Sequence, residues 1–91
     1  MNKHEFNHEL NLTNRFVRDI KNLKNNYRKI PEQKLVEIAN NPYTGKPLRG
    51  PLRGKYSERV TKRYRIIYLI PERCRVLIER LYHRETAYAN Y

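Results

Sequence analysis

The run Tyr64-Arg65-Ile66-Ile67-Tyr68-Leu69-Ile70 is apolar or aromatic at every position but one. Six such residues out of seven, rich in β-branched and aromatic side chains, read as a central strand covered on both faces for most of its length. The rest of the chain must therefore provide flanking strands and a cover. It does so economically, because only 38% of its 91 residues are hydrophobic. That supports one modest core and a single domain over residues 1–91. Eight tyrosines supply part of the missing apolar area.

The patterning on either side of that run predicts the cover. Residues Glu5 to Leu12 alternate, with Phe6, His8, Leu10 and Leu12 on one side, as in a half-buried strand. Thr13 and Asn14 are both able helix caps. Phe16, Val17, Ile20 and Leu23 then fall on one helical stripe, with Lys and Arg opposite. Asn25-Asn26 marks a break. A second helical pattern runs from Tyr27 to Ala39, starting near Pro31 or kinked there, because a proline inside a helix costs roughly 3 kcal/mol. Asn41-Pro42 ends it. Tyr43 to Gly54 holds all three glycines and the doubled PLRG, and reads as a loop. Strands follow at Tyr56–Val60, Tyr64–Ile70 and Cys74–Tyr82, with Pro71-Glu72 as the last turn. The expected fold is α+β: two short N-terminal helices on one face of a mostly antiparallel sheet of about four strands, with the other face open.

Twenty Lys and Arg against nine Asp and Glu leave a net charge of +11, which calls for a polyanionic partner, nucleic acid foremost. The basic residues are interleaved with Val, Ile, Leu and Tyr throughout, unlike a disordered basic tail. A single cysteine, Cys74, excludes an internal disulfide framework and a Cys-based zinc site. Three histidines without an HExxH motif or carboxylate cluster give no expectation of a metal or other cofactor. No apolar stretch suits a signal peptide or a bilayer span, so a cytoplasmic location without membrane attachment is expected.

Charge is densest between Lys46 and Arg65. Lys46, Arg49, Arg53, Lys55, Arg59, Lys62, Arg63 and Arg65 face only one acid there, Glu58, which makes this stretch a candidate RNA-binding track. The period of two puts Ser57 and Arg59 on one face and Tyr56, Glu58 and Val60 on the other. Arg59 is thus placed to join Arg65 across the open face, close enough to grip one phosphate. The structural alternative is that Arg65 pairs with Glu79 or Glu58. Just past the last strand, His83, Arg84 and Tyr88 bring together an imidazole, a guanidinium and a phenol. Tyr88 either stacks on a base or anchors the terminus.

The segments NPYTGKPLRGPLRGKYSERV, KRYRIIYLI and LYHRETAY, preceded by FVRDIKNLK, resemble the RelE/ParE toxin superfamily of toxin–antitoxin modules over roughly Phe16 to Tyr88. The resemblance implies a small toxin of the microbial-ribonuclease type, neutralised by a short acidic, RelB-like antitoxin. RelE-like members cut mRNA on the ribosome without a metal; ParE-like members inhibit DNA gyrase. Carried over by residue, the catalytic candidates are Arg59, Arg65, His83, Arg84 and Tyr88. Where RelE enzymes often carry a further lysine, this chain has Ser57. The basic, His and Tyr positions favour ribosome-dependent cleavage of mRNA by 2′-OH attack. The alternatives are gyrase inhibition and non-catalytic RNA binding. In the first case the arginines act as clamps on phosphate charge, because arginine is a poor proton shuttle; the proton carrier is then His83, Tyr88 or a lysine, with the His83 imidazole closest to neutrality.

Overall fold

The computed structural model describes residues 8–23 and 29–83. Strand β1 spans Glu9–Leu12, helix α1 Asn14–Lys21 and helix α2 Lys29–Asn40. A 3-10 turn at Pro42–Thr44, the short strand β2 at Lys46–Pro47 and a second 3-10 turn at Gly50–Leu52 lead into β3 (Lys55–Arg59), β4 (Tyr64–Glu72) and β5 (Arg75–His83). The five strands form one sheet in the order β1-β5-β4-β3-β2. All neighbours are antiparallel except β1, which lies parallel to β5.

Local chemistry sets these boundaries. Thr13 caps α1: its hydroxyl accepts the Phe16 N–H at 3.0 Å and donates to the Glu79 carbonyl at 2.7 Å, tying the helix start to β5. Pro31 falls in the first described turn of α2, where it is tolerated. The Asn41 side chain accepts from the Tyr43 N–H and starts the next turn.

The core lies between the helices and one face of the sheet. Phe16, Ile38, Ile66, Tyr68, Val76 and Ile78 are almost completely buried there. Tyr68 stacks on Tyr56, with ring centroids 5.5 Å apart, and its phenol donates to the Pro42 carbonyl at 2.6 Å. That phenol approaches the backbone at Gly45 so closely that a Cβ on Gly45 would overlap its oxygen. Glycine stands there for space.

The expected architecture holds, with three differences. The sheet has five strands, because Lys46-Pro47, inside the segment expected to be a loop, pairs with Tyr56-Ser57 at the sheet edge. The β4–β5 turn is Arg73-Cys74, since Glu72 and Arg75 are still paired. Pro71 sits within β4, in a stretch of irregular register between Leu69 and Glu72, where a strand tolerates the missing N–H. Finally, β5 runs one residue further than expected, through His83.

Candidate functional site

The face of the sheet turned away from the helices carries the charge. Pairing is in register, so directly opposite residues share a face. Arg59 on β3 is opposite Arg65 on β4, and Arg65 is opposite Tyr82 on β5. Ser57 is opposite Ile67 on one side and Lys46 on the other. Lys46, Lys55, Ser57, Arg59, Arg65 and Tyr82 thus occupy one surface. The period-two expectation for Arg59 and Arg65 agrees with this placement.

Arg65 donates through Nη1 to the Ser57 hydroxyl at 3.0 Å. Ser57 is only 2% exposed, so this bond satisfies a buried hydroxyl and fixes the guanidinium with one of its five N–H donors. Neither carboxylate considered as an alternative partner takes it. Glu79 pairs with Lys55 at 2.7 Å, and Glu58 faces the helices, 3.8 Å from Lys34. Arg59 is exposed and makes no ion pair among the described residues. Two guanidiniums thus meet across neighbouring strands with no acid among the described residues between them. Like charges placed so destabilise a sheet, and an anion relieves the repulsion.

The other basic candidates divide. Lys55 is held by Glu79 in a partly buried pair, so its charge is already matched, contrary to its expected place in the track. Lys46 and Arg49 lie at the β2 edge, where with Pro47 and Leu48 they line a shallow cavity of about 580 Å³. Arg53 follows the second 3-10 turn and is exposed. Lys62 and Arg63 occupy the β3–β4 turn, both exposed.

His83 is where the structure departs most from expectation. It was expected in a loop beyond the last strand, beside the arginines; instead it is the last residue of β5, opposite Tyr64. Its ring meets Tyr64 edge to face, with centroids 5.3 Å apart. That pair lies on the helix side of the sheet, and Tyr82 holds the position beside Arg65. Arg84 and Tyr88 lie outside the described residues.

A brace beside the arginines was not anticipated. Asp19 on α1 accepts two hydrogen bonds from Arg80, at 2.9 and 3.2 Å, and a third from the Leu81 N–H at 2.9 Å. Arg80 is held protonated by its hydrogen bond to Asp19, which outweighs the opposing effect of burial. Its guanidinium lies 4.6 Å from the centroid of the Tyr82 ring and donates to the Tyr82 phenol at 3.4 Å. The neighbour of Arg65 is thereby locked by a contact 61 residues away in sequence.

No group of three or more potential metal ligands occurs among the described residues, and none of their helices is long and apolar enough to cross a membrane.

Comparison with known proteins places this geometry in context. The family model for the ParE toxin of the type II toxin–antitoxin system parDE matches residues 10–88. The RelBE2 toxin–antitoxin complex from Mycobacterium tuberculosis is similar at 29% identity and a TM-score of 0.78, covering 87% of this chain and 93% of the matched one. The YoeB/ParE toxin from Agrobacterium tumefaciens matches at 18% identity and TM-score 0.72, over 84% of this chain and 98% of its own. The intact RelBE toxin–antitoxin complex of E. coli matches at 24% identity and TM-score 0.68, over 82% and 94%. Comparison with curated proteins gave no match.

Proposed function

Because this chain belongs to the ParE toxin family of type II toxin–antitoxin systems, within the RelE/ParE superfamily, we propose that it is a ribosome-dependent, metal-independent endoribonuclease acting on mRNA in the cytoplasm. The observation that carries this reading is the Arg59–Arg65 pair: two adjacent guanidiniums, one fixed by Ser57, on the sheet face turned away from the helices, with no neutralising acid among the described residues.

In the proposed reaction the ribose 2′-oxygen forms a bond to the adjacent phosphorus as the bond from phosphorus to the 5′-oxygen breaks. The products are a 2′,3′-cyclic phosphate and a 5′-hydroxyl end. Negative charge builds on the non-bridging oxygens, and two permanently charged arginines stabilise it best in a preorganised, partly desolvated setting. Lys46 at one edge and Lys62 and Arg63 at the other end steer the flanking backbone. Neither arginine moves a proton well at neutral pH, and His83 is on the other face. The reaction therefore depends on the ribosome to orient the 2′-OH and to assist proton transfer, with Tyr88 as the chain's own candidate for the proton and Arg84 as a further clamp on the phosphate. An acidic antitoxin neutralises the protein by matching its +11 charge and covering this face.

A second reading, inhibition of DNA gyrase, is favoured by one observation: among the described residues no imidazole shares the arginine face. Induced expression separates the two. Arrested translation with new mRNA ends mapped by primer extension supports the nuclease. Altered plasmid supercoiling with intact mRNA supports the gyrase inhibitor.

A further inference from the structure

A cavity of about 590 Å³ opens at the end of the sheet where β3 turns into β4, on the side opposite Arg59 and Arg65. The helices contribute Asn22 and Pro31, the turn contributes Lys62 and Arg63, and the strands contribute Tyr64 and His83. Its volume is that of a small-ligand site. Among the described residues no acidic one lines it.

We propose that this cavity receives a base of the same RNA strand, a few nucleotides along from the phosphate held by Arg59 and Arg65, with adenine the preferred base; the inference rests on the ribonuclease reading above. Tyr64 and His83 meet at 81°, so a base entering the cavity finds a flat ring to stack on and a second ring edge beside it, which is how single-stranded RNA is commonly held. The exposed side-chain amide of Asn22 makes no hydrogen bond among the described residues and lines the cavity. An amide that donates and accepts side by side matches the adenine N6 and N7 positions. Lys62 and Arg63 at the same turn neutralise the attached phosphate.

The connection to the arginines runs around the end of the sheet. Tyr64 and Arg65 are consecutive and point to opposite faces of one strand end. A strand of RNA that leaves its phosphate on Arg65 and folds around the exposed turn delivers a base a few nucleotides further along to Tyr64. An acidic peptide would use the two cations but has no use for the crossed rings or the amide, so the lining favours a nucleotide.

The test is a titration of the isotope-labelled full chain, freed of its antitoxin, with adenosine and uridine 5′-monophosphates, followed by NMR. Saturable shifts of the Asn22 side-chain amide and the His83 ring, with the adenosine nucleotide binding roughly five- to tenfold more tightly, are expected. Asn22→Ala should erase that preference while Tyr64 and His83 still respond to both nucleotides. Shifts confined to Arg59 and Arg65, no shifts, or equal affinities would overturn the proposal. Mapping of mRNA ends with the wild-type protein reports separately on the ribonuclease reading. A chain that cuts mRNA but leaves the cavity empty loses only the base pocket, and one that fills the cavity but cuts nothing loses only the nuclease.

Discussion

Arg59 and Arg65 are direct cross-strand partners on the face of the sheet turned away from the helices, and no carboxylate among the described residues separates or neutralises them. A fold selected only for stability would not place two guanidiniums there, because like charges in register cost up to about 1 kcal/mol. Replacing both with alanine should therefore abolish toxicity while changing the melting temperature by only a few degrees, because relief of the repulsion offsets the lost Arg65–Ser57 hydrogen bond. Growth after induction, together with a thermal melt of the purified variant, checks both halves. Lost toxicity with a large drop in melting temperature would mean that the pair is structural.

Ser57 orients Arg65 from beneath. Ser57→Ala removes the acceptor and should cost about 1 kcal/mol in stability. It should also weaken toxicity less than Arg65→Ala does, because the charge remains but its direction is freed. A graded growth assay at matched protein levels distinguishes an orienting hydroxyl from an inert one.

Asp19 concentrates three hydrogen bonds on one partly buried carboxylate, holding both the Arg80 side chain and the Leu81 backbone. Asp19→Ala leaves both donors wanting and should destabilise the fold by about 2 to 3 kcal/mol, a fall of roughly 10 to 20 °C in melting temperature. Asp19→Asn keeps an acceptor and should lose less. Equal melting temperatures for the three proteins would show that the brace carries no stability.

Tyr68 predicts the alkaline behaviour of the chain. Burial, and secondarily the charge of Glu58, push its phenol well above the ordinary tyrosine value. The neutral form is therefore favoured in the folded state. The stability linked to this group is complete below about pH 10, where the unfolded phenol is also protonated, and is lost as pH rises beyond it. Ultraviolet titration should find one tyrosine that ionises only as the chain unfolds, and Tyr68→Phe should remove that step. Gly45→Ala drives a methyl into the same phenol and should cost about 1 to 3 kcal/mol. A neutral effect in chemical denaturation would contradict the packing described.

Much of this was legible in the sequence because it depends on short-range rules. The period of two placed Arg59 on the arginine face, Thr13 announced the start of α1, and the apolar run around Ile67 marked the central strand, where Ile66, Ile67 and Tyr68 are indeed fully buried. What was missed depends on register and long-range contact. Lys46-Pro47 pairs for only two residues, too few for a pattern, within a Gly- and Pro-rich stretch. Pro71 looked like a turn residue, yet the turn falls at Arg73-Cys74, with Cys74 in the left-handed region at φ 66°. Extending β5 by the single residue His83 moved that imidazole from an unconstrained loop to the helix side. The Asp19–Arg80 brace joins elements far apart in sequence, and no local pattern signals it.

The most direct test of the nuclease reading is the chemistry of the cut ends. Purified toxin, programmed ribosomes and a defined mRNA should give fragments ending in 2′,3′-cyclic phosphate, absent when ribosomes are omitted and absent with Arg65→Ala. Intact mRNA under these conditions, or cleavage that persists without Arg65, would contradict the account.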